Sequence, residues 1–200
     1  MTDKARAEAG DEEPRMRADA RRSRAKLLEA ATAAFAENGA DAPLEDIARR
    51  AEVGIGTLYR HFPTRVDLQA AVYRSQVETV CAAADEYMDS AAPDQALIGW
   101  LHAMAAYMIT KRGLSRVLVD SLGRDSPLIT SCWTAMNGAA ERLMTRAQQA
   151  GLLREDIKPI DMLRLVHGVV IATEQSPGET DRLLGLMLDG LRTRPAGDPG

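Results

Sequence analysis

The chain has 200 residues, 46% of them hydrophobic and only 4% aromatic, with a net charge of −4. That is enough apolar material for a core in one or two domains, and the wealth of Ala, Leu, Arg and Glu without alternating β-branched runs points to an all-α fold. No stretch approaches the roughly 18 apolar residues a membrane span needs, and the N-terminus has no apolar signal core, so a soluble, cytoplasmic protein is expected. Residues 1–13 carry a net −3. Residues 14–75 hold 11 basic against 8 acidic side chains, and residues 76–200 hold 12 against 16. A basic third on an acidic body fits a nucleic-acid head on a body of other purpose.

In chain order, residues 1–20 read as a disordered tail, its end rich in arginine (Arg15, Arg17). The basic run continues through Arg21, Arg22, Arg24 and Lys26 into a first helix over 21–38. Leu27, Leu28, Ala31, Ala34 and Phe35 recur at three- and four-residue steps and form its apolar face. The basic run is read either as a solvated face or as an arm that reaches DNA. Asn38-Gly39 ends this helix, with Gly39 suited to the left-handed position beyond it. Pro43 sits just inside a second helix that runs to about residue 50. A third helix spans 55–61 and is stopped by Pro63. Thr64 is placed to cap a long helix over 65–88, with Asp67 in its first turn.

Punctuation by Gly, Pro and Ser then gives helices over 93–111, 114–122, 127–150, 159–173 and 179–192, nine in all. A Pro/Gly-rich tail, 194–200, reads as disordered. The domain reading is therefore a head over 21–65 and a body over 66–193. Cys81 and Cys132 lack metal or redox spacing and read as buried thiols. No His/Cys/carboxylate cluster has metal spacing, no cofactor is implied, and no nucleophile–base pairing or phosphate loop suggests an enzyme.

Residues 44–68 carry the functional signal. Ile47, Ala48, Ala51 and Val53 are the apolar positions of a short bracing helix and its turn. Leu58 and Phe62 are those of a second short helix, whose remaining positions are polar, aromatic or basic: Thr57, Tyr59, Arg60, His61 and Arg65. This is a helix-turn-helix, with the second helix destined for the DNA major groove.

Four motifs hold fixed spacing around it: Leu27-Leu28-Glu29-Ala30-Ala31, Phe35-Ala36-Glu37-Asn38-Gly39, Leu44-Glu45-Asp46-Ile47-Ala48 and Gly56-Thr57-Leu58-Tyr59-Arg60-His61-Phe62-Pro63. Over residues 20–75 the chain resembles the tetracycline-repressor (TetR) family of regulators. Beyond residue 75 the resemblance rests on helix number and length. It implies a homodimer on a palindromic, inverted-repeat operator of double-stranded DNA. A C-terminal domain would bind a small molecule and dimerise. It also implies DNA contacts from Thr57, Tyr59, His61 and Arg65, with Tyr59 and His61 on phosphates, and Arg65 standing where the family usually has Lys. Gly56 and Arg60 could approach base edges, and the helix N-terminus at Gly54 is open to a phosphate. Three positions depart from the pattern. Pro43 replaces a Thr, Glu52 stands where Gly is common at the turn, and Gly54 replaces a Ser cap. If Glu52 is left-handed, the cost is on the order of 1–2 kcal/mol.

In the body, Trp100, Met104, Met108, Trp133, Met136 and Asn137 lie on the apolar faces of helices 93–111 and 127–150. They are read either as plain core or as the wall of a pocket for an apolar ligand, with Asn137 as polar anchor. Leu163, Val166, Val170, Leu184, Met187, Leu188 and Leu191 are expected to line the dimer interface as a four-helix bundle. The function expected is a transcriptional repressor released from DNA by a small ligand, with an activator or ligand-independent regulator as the alternative.

Overall fold

In the computed structural model the backbone is described for residues 3–90, 92–110 and 112–193, and side chains for 17–193 except 91 and 110–112. Among these residues there are nine α-helices: α1 Asp3–Asn38, α2 Leu44–Arg50, α3 Ile55–His61, α4 Arg65–Ser90, α5 Pro93–Thr110, α6 Arg112–Leu122, α7 Pro127–Gln149, α8 Pro159–Ala172 and α9 Thr180–Leu191. A single 3-10 turn, Pro177–Glu179, precedes α9. The fold is all-α, as the composition requires.

The helix ends follow from local chemistry. Gly39 (φ +77°) and Gly151 (φ +69°) take the left-handed conformation just past α1 and α7. At the latter, the Gly151 and Leu152 amides donate back to the Gln148 and Ala147 carbonyls, satisfying groups the helix leaves orphaned. Ser126 caps α7 through the Ile129 amide. At α4, the Thr64 amide and hydroxyl both donate to the Asp67 carboxylate, at 2.9 and 2.8 Å, and the Asp67 amide returns a bond to the Thr64 hydroxyl.

Two boundaries differ from the sequence reading. α1 begins at Asp3 rather than at residue 21. Its early residues are low in apolar content, which argued for disorder, yet Ala, Glu and Arg have good helix propensity and carry the helix on. Pro43 is the extended cap of α2 (φ −60°, ψ 132°) and not its first helical residue. The expected tail at 194–200 lies outside the described residues.

The chain divides into two compact units. One runs through Tyr73 and takes in Gly113–Ser121; the other comprises Arg74–Arg112 and everything from Leu122. This division falls inside α4, and Gly113–Ser121 of α6 goes with the first unit. In the first unit α1 packs on α2 and α3, burying Leu27, Ala31, Phe35, Ile47 and Leu58. In the second, α5 packs on α7, α8 and α9, and α8 on α7 and α9, around Trp100, Leu101, Met104, Met136, Leu143, Met162 and Val166.

Candidate nucleic-acid interface

The turn between α2 and α3 carries the one left-handed non-glycine among the described residues, Glu52 at φ +56°. The Glu52 and Val53 amides donate to the Arg49 and Ala48 carbonyls, so the turn closes the end of α2 in the way a glycine would. Lys26 on α1 holds the Glu52 carboxylate at 2.8 Å. A parallel bond joins Arg50 to Glu37 at 2.7 Å. Each cation holds its carboxyl below the ordinary glutamate range. Both pairs are exposed, so their contribution to stability is small. They join α1 to the turn and to the end of α2.

α3 starts at Gly54 (φ −68°, ψ 146°), which offers no side-chain cap, and the Thr57 and Leu58 amides bond its carbonyl. Leu58 is fully buried. Gly54, Gly56, Tyr59 and Arg60 are exposed, and Thr57 and His61 are half-buried. All six residues therefore lie on the accessible side of the short helix. The ring of Phe62, which closes the helix, sits 6.3 Å from that of His61.

Arg65 has a structural task the sequence did not reveal. Its guanidinium donates to the Ala42 carbonyl at 2.6 Å and reaches the Ala40 carbonyl at 3.4 Å. The buried Gln69 amide nitrogen also donates to Ala40, at 2.9 Å. The first two turns of α4 thus fasten the 40–42 loop that leads into α2. No local sequence signal announces a bond spanning 23 residues.

In the body, burial separates the residues named from the sequence. Trp100 and Met104 have no exposed surface and Met136 has 1%, so no water-sized space touches the first two. The Trp100 indole N–H donates to the Val80 carbonyl at 2.9 Å, tying α5 to α4. Met108 is buried as well. Trp133 is 43% exposed, and Asn137 is half-buried. A cavity of about 280 Å³ lies elsewhere in this unit, lined by Asp94, Leu97, Ile98, Ala147, Leu152, Leu153, Leu188, Arg192 and Thr193.

The expected dimer residues divide in the same way. Leu163, Val166, Val170, Leu184 and Leu188 are buried within the subunit, and only Met187 and Leu191 are half-exposed. The apolar side chains left facing outward on α8 and α9 are Leu165, Ile171 and Leu186. Cys132 is buried and Cys81 only half-buried; burial raises the Cys81 thiol above its ordinary value, which suits an unreactive thiol. Among the described residues, no cluster of His, Cys and carboxylates is arranged for a metal, and no helix is long and apolar enough to cross a membrane.

Comparison with known proteins agrees with this geometry. Residues 27–72 match the model for bacterial regulatory proteins of the tetR family. Residues 92–193 match that for the C-terminal domain of SbtR-like transcriptional regulators. A TetR transcriptional regulator of Streptomyces coelicolor is 36% identical, with 86% of this chain and 99% of that one aligned at a TM-score of 0.75. A TetR transcription regulatory protein of Mycobacterium vanbaalenii is 31% identical over 89% of this chain and 99% of that one, with a TM-score of 0.69. A γ-butyrolactone receptor shares the fold at 21% identity, over 87% and 90% of the two chains, with a TM-score of 0.61. No curated protein matches the sequence. With both its helix-turn-helix and its helical body matched, the chain belongs to the TetR family of DNA-binding transcriptional regulators, which are not enzymes.

Proposed function

We propose that the protein is a repressor that binds an inverted-repeat operator as a homodimer and is released by a small apolar ligand. The observation that carries the DNA reading is the accessible side of α3, where Gly56, Tyr59 and Arg60 are exposed and Thr57 and His61 half-exposed on a helix anchored by Leu58. Arg60 is the base reader in this account; an arginine forked onto a guanine edge discriminates by about 1–3 kcal/mol. Tyr59 and His61 contact phosphates, and the α3 N-terminus at Gly54 receives another. Arg65 supports them from behind by holding the α1–α2 loop.

The homodimer reading now rests on the outward face of α8 and α9. Leu165, Ile171 and Leu186 are exposed there, and a Cβ added at Gly168 would meet nothing within the chain, leaving room for a second backbone. Met187 and Leu191 flank that face. A dimer must place its two recognition helices about 34–36 Å apart to enter successive major grooves.

The ligand reading rests on family membership and on the 280 Å³ cavity, whose Leu97, Ile98, Leu152, Leu153 and Leu188 suit a small apolar molecule with Asp94 and Arg192 at its polar edge. Release would require a coupling of only about 1–3 kcal/mol. It would travel along α4, one continuous helix that begins in the head and ends in the body. The closed packing of Trp100 and Met104 favours the alternative, a regulator that needs no ligand. Titration of small apolar compounds against a preformed operator complex separates the two. Loss of the complex with one compound, and its retention when Leu97→Trp fills the cavity, supports release through that site. Indifference to every compound supports the alternative.

A further inference from the structure

The basic run of α1 is only partly used in bracing the head. Lys26 is bonded to Glu52 and Arg22 to Asp19. Arg17, Arg21 and Arg24 recur at steps of four and three, and so fall in one strip roughly 60° wide along the helix. Farther along, this strip carries Ala31 and Phe35, both buried. Between Arg17 and Arg24 the same side of the helix is cationic and exposed. Asp19 and Glu29 lie on other sides, so between residues 17 and 35 no carboxylate enters the strip.

Arg24 fixes where the strip begins. Its guanidinium carbon is 5.5 Å from the centroid of the Phe62 ring, at the C-terminal end of α3 beside His61. From there the strip runs along α1 through Arg21 to Arg17, about 10 Å at 1.5 Å per residue. Its near end therefore lies at the end of α3, the helix on which Tyr59 and Arg60 are exposed.

We infer that this strip binds DNA phosphates flanking the half-site, making the start of α1 a helical arm that widens the footprint of each subunit. The inference rests on the DNA-binding reading of α3. Its chemistry is that of a backbone contact: the guanidiniums of Arg21 and Arg24 can each fork onto a phosphate. Protein interfaces instead build on a core depleted in charge, and this row has no such centre. Arg21 is the most informative member, exposed and engaged by no hydrogen bond or ion pair among the described residues.

The test uses the full chain and the duplex it selects from random DNA, in two lengths. One duplex ends at the half-site edges; the other extends roughly five base pairs further on each side, about half a helical turn. Arg21→Ala is expected to bind the extended duplex several-fold more weakly than the wild type. Its salt slope should be smaller by about 0.9 for each phosphate that is no longer neutralised, one in each subunit. On the short duplex the two proteins should bind alike, and Arg21→Lys should restore most of the slope. Unchanged helicity and thermal midpoint certify the fold of each variant. An Arg21→Ala protein with wild-type affinity and slope on the extended duplex overturns the arm while leaving the DNA reading of α3 intact. A wild-type protein that binds no duplex at all removes both.

Discussion

Trp100 distinguishes a packed body from one with a central pocket. The side chain is wholly buried and its N–H is bonded to Val80. Trp100→Phe removes that bond, worth about 0.5–1.5 kcal/mol net, while the Val80 carbonyl keeps its place in the α4 ladder. The smaller ring leaves a void of roughly 40 Å³, which at ~24 cal/mol per Å³ costs about 1 kcal/mol. With the lost burial of apolar area, the expected destabilisation is about 2–3 kcal/mol. For a chain of this size that lowers the thermal midpoint by roughly 4–12 °C. Urea and thermal unfolding followed by far-ultraviolet circular dichroism, at one fixed protein concentration, measure it. Trp133→Ala serves as the control: at 43% exposure it should change stability by less than about 0.5 kcal/mol. If Trp100→Phe also costs less than about 0.5 kcal/mol, the side chain faces usable space and the packing argument fails.

The same geometry sets further expectations. Glu52→Gly should raise the midpoint of unfolding, because glycine relieves the positive φ while the exposed Lys26 pair contributes little; a lower midpoint would show that the ion pair holds the turn. Gly39→Ala, at φ +77°, should lose about 1–2 kcal/mol in the same assay. Leu186→Glu, at the most exposed large apolar side chain of α9, should leave a folded monomer in light scattering. Leu163→Ala should instead cost about 2–5 kcal/mol of stability, because that leucine is internal. Glu37 and Glu52 are held below their ordinary pKa by Arg50 and Lys26. Their contribution is present above the ordinary glutamate range and is lost as pH falls through the depressed values. Acid unfolding of Glu37→Gln/Glu52→Gln should accordingly be less steep than that of the wild type below about pH 4.5, and high salt should narrow the gap.

The head was legible because its signals are local. Pro63 and Thr64 mark the end of one helix and the cap of the next within two residues, and the observed bounds of α3, Ile55–His61, are those read from the sequence. Glu52 could be suspected of a left-handed conformation because the turn spacing demands one. The long-range bonds of the head were hidden, since Lys26 meets Glu52 and Arg65 meets Ala42 across 26 and 23 residues of chain. In the body the difficulty is different. Periodicity says which residues share a face but not which way it points when a helix is apolar nearly all round. On α8 and α9 both sides are apolar, so Leu163 and Leu165, or Leu184 and Leu186, cannot be assigned inward or outward without neighbours. Trp100 and Trp133 pose the same ambiguity: each sits on an apolar stripe, and only packing shows that one is core and the other surface.

The most direct test of the central claim is selection of bound sites from random duplex DNA with the purified full chain, at two salt concentrations. The account predicts an enriched inverted repeat with half-sites about one helical turn apart, bound more weakly as salt rises. Arg60→Ala should relax base preference at specific positions of that repeat. No enriched sequence, or an enriched site whose base preferences survive Arg60→Ala unchanged, would contradict the assignment of α3 as the reader of DNA.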